Sequence, residues 1–91
     1  MLTYYDAVDY FEKKLNRMLA RYNPKRGIVI RLVSESNYTG LSLQYVKSIL
    51  SRHLKRKGLH YRSKEVYRTY ISMHHKCVTT DLVIKLTGAG V

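Results

Sequence analysis

Apolar residues recur along this chain with two different periods, and each period marks out elements. From Tyr4 they step by four, three, four, three and four through Tyr4, Val8, Phe11, Leu15, Met18 and Tyr22, with Ala7 and Leu19 widening the stripe. That spacing is one buried helical face and predicts a helix over residues 3 to 23. Thr3 can cap its start, with Asp6 placed to complete a weak capping box. Asp6, Asp9 and Glu12 come early and Lys13, Lys14, Arg17 and Arg21 late, as the helix dipole prefers, and Asp9 with Lys13 is a favourable i,i+4 pair. Asn23-Pro24 ends the helix, because the residue before proline is pushed out of the α region.

A second helical stripe organises residues 40–59. Val46, Ile49, Leu50 and Leu54 form its apolar face, with His53 at the margin. Ser42 suits the N-cap, and Leu41 and Val46 hold the two positions of a hydrophobic staple. Lys55, Arg56 and Lys57 fill the last turn, Gly58 can take the left-handed position beyond it, and Leu59 can fold back on Leu54 as in a Schellman motif. The opposite face carries Gln44, Lys47, Ser48, Ser51, Arg52 and Lys55, side chains able to donate to phosphates and base edges, and no acidic residue. A solvated basic face on a surface helix would look the same.

Between these helices the period is ambiguous. Gly27-Ile28-Val29-Ile30-Arg31-Leu32-Val33 is rich in β-branched residues, as a strand is, yet Ile28 with Leu32, or Val29 with Val33, also fall on one side of a helix. Context favours helix over residues 26 to 36, because Asn37-Tyr38-Thr39-Gly40 then makes the turn of a helix-turn-helix. After the second stripe the period shortens to two. Residues 59–62 and 66–73 read as strands joined by a turn at Ser63-Lys64-Glu65, with Tyr67, Thr69, Ile71 and Met73 on one face and Val66, Arg68 and Tyr70 on the other. The rival reading is a helix capped by Ser63; the Val, Tyr, Thr and Ile content tips the balance to strand. Residues 78 to 86 form a last strand, and Thr87 to Val91 a frayed tail.

Composition then adds the main functional constraint. The chain has 91 residues, enough for one small domain, and 17 Lys and Arg against six Asp and Glu give a formal net charge of +11. An excess of that size points to a polyanionic partner, nucleic acid before anionic lipid or an acidic protein. No apolar run reaches the roughly 20 residues of a membrane span. The start, Met1-Leu2-Thr3-Tyr4-Tyr5-Asp6, lacks the basic and apolar regions of a signal peptide, so the expected setting is intracellular, cytoplasmic or nucleoid-associated, with no membrane partner. A single cysteine, Cys77, excludes an internal disulfide framework. Nine tyrosines suit base stacking and equally suit the wet edge of a small core.

The segment 32–73 resembles a winged helix-turn-helix domain. The resemblance is carried by Thr39-Gly40-Leu41-Ser42, by Tyr45-Val46-Lys47-Ser48-Ile49-Leu50 and by Lys55-Arg56-Lys57-Gly58-Leu59, a run that in that family leads into a β-hairpin wing. Glu35 and Ser36 depart from the pattern, since the family prefers an apolar residue and alanine there. The resemblance implies a small α+β domain of three helices and a wing. It also implies a recognition helix presenting Ser42, Gln44, Tyr45, Lys47, Ser48, Ser51 and Arg52 to DNA. The wing would contribute Arg62, Lys64 and Arg68, and phosphates would be held by Lys25, Arg26, Lys55, Arg56 and Lys57.

Catalytic chemistry finds little support. His74, His75 and Cys77 with His53 or His60 are the right types for zinc but not at the spacing of a known finger, and Cys77 lacks any recognisable oxyanion site. The six acids are too scattered to hold the magnesium of a nuclease, and no glycine-rich phosphate loop opens a helix. No metal, cofactor or enzymatic activity is expected. The leading expectation is a double-stranded DNA-binding protein of transcription regulation. A second is a non-catalytic accessory subunit of a nucleic-acid assembly such as a polymerase holoenzyme, which a strand-rich stretch at residues 27–33 would favour. A third is RNA binding through Tyr and Arg of the hairpin. A homodimer through the stripe of Tyr4, Val8, Phe11, Leu15, Met18 and Tyr22 is also open.

Overall fold

The computed structural model of the chain describes residues 2–88. It contains α1 (Tyr4–Ala20), β1 (Ile28–Arg31), α2 (Leu32–Thr39), α3 (Leu43–Arg56), β2 (His60–Ser72) and β3 (His75–Gly88). The strands form one antiparallel sheet in the order β1-β3-β2. Three helices on such a sheet, with β2 and β3 as a long hairpin, make a small winged-helix-like α+β domain.

The helices start where their caps put them, but α1 stops at Ala20 and not at Asn23. Thr3 caps α1, its hydroxyl accepting from the Asp6 amide at 3.1 Å, and Ala7, Phe11 and Leu15 are fully buried. Ser42 caps α3 by accepting from the Tyr45 amide at 3.3 Å. At its other end the Leu59 amide donates to the Leu54 carbonyl and the Gly58 amide to the Lys55 carbonyl, the two bonds of a Schellman motif, with Gly58 at φ +72°. The turn after Pro24 closes on Asn23, whose carbonyl accepts from the amides of Arg26 and Gly27. Gly27 is at φ +71°, and a side chain there would meet the Ile84 carbonyl oxygen at 2.6 Å, so both conformation and closeness to β3 require glycine.

Several expectations are corrected. Residues 27–33 are not one helix: β1 occupies Ile28–Arg31, pairing Ile28 with Ile84 and Ile30 with Leu82, and α2 starts at once with Leu32. The alternating burial of Ile28 and Ile30 against exposed Val29 and Arg31 gives the period of two, which only pairing with distant β3 can stabilise. Asn37, Tyr38 and Thr39 accordingly belong to α2, and the turn proper is Gly40-Leu41-Ser42, with Gly40 left-handed at φ +76°. Nor is there a turn at Ser63-Lys64-Glu65: β2 runs through all three, opposite Ile84, Val83 and Leu82. The hairpin reverses instead at Met73 and His74, both with positive φ, the backbone of a two-residue type I′ turn. The final strand is longer than expected, from His75 to Gly88, so Thr87 and Gly88 are not frayed; Ala89 to Val91 lie outside the described residues.

The core lies between the helices and one sheet face. Phe11 and Leu15 of α1, Leu32 of α2, and Val46, Ile49, Leu50 and Leu54 of α3 meet Ile28, Ile30, Leu82 and Ile84. Burying each of the larger side chains stabilises the fold by about 1.5–3 kcal/mol. Of the stripe considered for a homodimer, Phe11 and Leu15 have no exposed surface and Val8, Met18 and Tyr22 pack against the same core, while Tyr4 is 40% exposed.

Candidate nucleic-acid interface

On α3 the turn that buries Val46, Ile49 and Leu50 turns Gln44, Tyr45, Ser48, Arg52 and Lys55 outward, and all five are exposed. Ser42 at the start and Lys57 at the end of the helix are exposed as well. No acidic side chain belongs to this helix, and Arg52 and Lys55 are in no ion pair among the described residues. Tyr45 packs edge-on to Tyr4 with ring centres 6.5 Å apart, which extends the surface onto the first turn of α1.

Three of the expected contact residues of α3 are engaged by other side chains of the protein. Lys47, half-buried on the sheet side, binds Glu65 of β2 at 2.5 Å. The Lys47 ammonium, by hydrogen bond and by charge, holds the Glu65 carboxyl below its ordinary range. Ser51 shares a 2.6 Å hydrogen bond with the Tyr61 hydroxyl. Arg56 lies 3.5 Å from Glu12 of α1.

The three wing residues fall away from α3. Along β2, Tyr61, Ser63 and Glu65 stand opposite Leu86, Ile84 and Leu82, on the face that carries the core and α3. Arg62, Lys64 and Arg68 alternate with these and so point to the outer face of the sheet. Arg68 is further engaged by Asp81, Nε to Oδ2 at 2.8 Å and Nη2 to Oδ1 at 3.3 Å, a bidentate pair that covers a buried carboxylate. Arg26 lines a cleft of about 640 Å³ between the end of α1 and β1, together with Arg17 and Arg21, and Lys25 sits exposed beside it. The sequence-predicted site therefore divides between the outward face of α3 and the back of the sheet. Arg31 and Lys85, which share that back face, were missed; strict alternation along β1 and β3 was the signal for both.

The hairpin tyrosines do not form one stacking platform. Tyr67 and Tyr70 are three residues apart in a strand and so lie on opposite faces. Cys77 stands opposite Tyr70 in the wing, His74 and His75 are at its tip, and His53 is in the body; no three His, Cys, Asp or Glu side chains gather among the described residues. None of the described helices is long and apolar enough to cross a membrane.

The departures at Glu35 and Ser36 have local explanations. Glu35 is buried and bound by Lys14 of α1, which also meets the Tyr10 hydroxyl at 3.4 Å. Burial works against the charged form of Lys14, but the Glu35 carboxylate and the Tyr10 hydroxyl outweigh it, and the Lys14 pKa ends above its ordinary value. Ser36 donates to the Leu41 carbonyl at 2.5 Å, pinning the turn into α3. His53 is buried with Nε2 3.0 Å from Asn16 Oδ1. Its Nδ1 is left without a hydrogen bond, 3.9 Å from Glu12. Burial chiefly, with Lys57 and Arg56, pushes its pKa down, while Glu12 opposes them. Both clusters brace α1 against α2 and α3. Compared with known proteins, the chain matches no family model, no curated protein and no solved structure.

Proposed function

We propose that this protein binds double-stranded DNA through α3 and acts in transcription regulation, as a member of the winged helix-turn-helix class. The observation that carries this reading is the outward face of α3, where Gln44, Ser48, Arg52 and Lys55 stand exposed together on a helix free of acids. Its core side is locked by Leu50 and Leu54, and its start is fixed by the Gly40-Leu41-Ser42 turn. A rigid helix bearing amide, hydroxyl and guanidinium donors is suited to the major groove, where those groups distinguish base pairs. The net charge of +11 supplies the phosphate affinity. The test is duplex binding over a salt series, with a selected and a random sequence. Arg52→Ala costs about 1–3 kcal/mol on the selected sequence if Arg52 reads a base edge. An equal loss on both sequences makes it a phosphate contact and removes the readout claim.

A second reading, a non-catalytic subunit of a nucleic-acid assembly, is favoured by the wing, where Tyr67, Ile71 and Met73 are 68%, 77% and 86% exposed. The strand at 28–31, the sequence feature expected to favour this reading, is present as β1. Capture of a partner that is lost on Ile71→Ser, with duplex affinity unchanged, would favour this second role.

A further inference from the structure

We infer that the outer face of the sheet is a second duplex-DNA site, so that one chain holds two DNA segments on its two sides. The inference rests on the duplex-binding reading above. The outer face carries Arg31 from β1, Lys85 from β3, and Arg62, Lys64 and Arg68 from β2, all exposed. Its one carboxylate, Asp81, is already taken by Arg68. Arg62 and Lys85 are direct cross-strand partners. Like charges placed opposite each other weaken an antiparallel pair, and here no acid of that face relieves them. A polyanion laid across the face would.

The surface continues past the sheet. Val29 belongs both to the outer face and to the cleft lined by Arg17, Arg21 and Arg26, and the Lys85 side chain runs close beside Gly27 at the cleft's edge. Cations spaced about 7 Å along a strand and about 5 Å between strands meet the phosphates of one backbone. The gaps between them hold Val29, Val66 and Val83, and the exposed ring of Tyr70 lies on the same face beyond Arg68, a single tyrosine rather than a row of them. Single strands are held by stacking bases on aromatics, so this face suits the outside of a duplex. Since α3 lies over the opposite face of the sheet, occupying one surface leaves the other open.

The test uses the intact chain with excess short duplex. Sedimentation gives the number of duplexes per chain, and a bead-bound duplex reports whether a second, labelled duplex is retained. The wild-type chain takes two duplexes and retains the label. Arg62→Gln/Lys85→Gln takes one, loses retention about tenfold and lowers the salt slope by about two. Its melting temperature rises, because the opposed charges are gone. A wild-type chain that binds a single duplex and retains no label overturns the inference and leaves the α3 reading standing. A chain that binds no duplex at all overturns both. Undiminished retention by Arg62→Gln/Lys85→Gln assigns bridging to a pair of chains and overturns the inference, as does displacement of the retained duplex by single-stranded RNA at equal nucleotide concentration.

Discussion

Strand β3 passes through two environments. Over residues 81–84 it is flanked by both β1 and β2, and Leu82 and Ile84 are buried beneath the helices. Over residues 75–80 only β2 accompanies it, and Val78, in the same strand, is 62% exposed. The ladder to β2 is continuous through both halves; what changes is that a second ladder, to β1, and the helices close over only one of them. A two-stranded ribbon is marginal by itself, so the wing persists because the body holds its base. Stability is thus concentrated at one end of the hairpin and exposed apolar surface at the other.

The sharpest way to break this contrast is to compare truncations at each end. Phe11→Ala empties the middle of the core and is expected to cost about 3–5 kcal/mol in urea unfolding, with an unchanged denaturant slope. A loss below 1 kcal/mol, read from the same curve, would mean that the body packs loosely. Next in size is Lys14→Ala, expected to cost about 3 kcal/mol because it leaves the buried Glu35 carboxylate without its cation. Lys14→Ala/Glu35→Leu should recover most of that; a double variant no better than the single would show that Lys14 acts through its packing.

A smaller effect comes with acid. The His53 pKa in the folded chain lies below its ordinary 6.5, so the neutral ring is the form the fold favours. Its contribution is fully present above 6.5 and is lost as pH falls through that value toward the folded pKa. The melting temperature should decline over this window, and His53→Gln should flatten the decline; an unchanged slope would place the titrating group elsewhere. The smallest effect is expected in the wing, where Ile71→Ala should shift stability by no more than about 0.5 kcal/mol. A larger shift in the same unfolding measurement would show that the ribbon supports the body after all.

What the sequence made legible follows the same division. Both long helices could be read because their information is local: Thr3 and Ser42 as caps, two stripes at helical spacing, and Lys57-Gly58-Leu59 as a stop. The junction of β1 and α2 could not, because Arg31 ends a strand and caps a helix with no breaker between. Only the pairing of Ile28 and Ile30 with residues more than fifty positions away decides it. The hairpin was misplaced for a related reason. Met73 and His74 turn the chain without glycine or asparagine, whereas polar Ser63-Lys64-Glu65 looks like a turn and is strand. On the candidate site, the outward residues of α3 were legible from helical period alone. The division of Arg62, Lys64 and Arg68 from them required the register of the sheet.

The Lys47–Glu65 contact carries one more consequence. Among the described residues it is the ion pair that joins α3 to β2, and both partners are about one-third exposed or less. An anion arriving at Lys47 therefore meets an occupied cation and must exchange with Glu65 before it gains anything. Its net return is the difference between two ion pairs, close to nothing for a free phosphate or chloride. Only a ligand already anchored by its neighbours can complete the exchange. The cost is a toll on casual encounters.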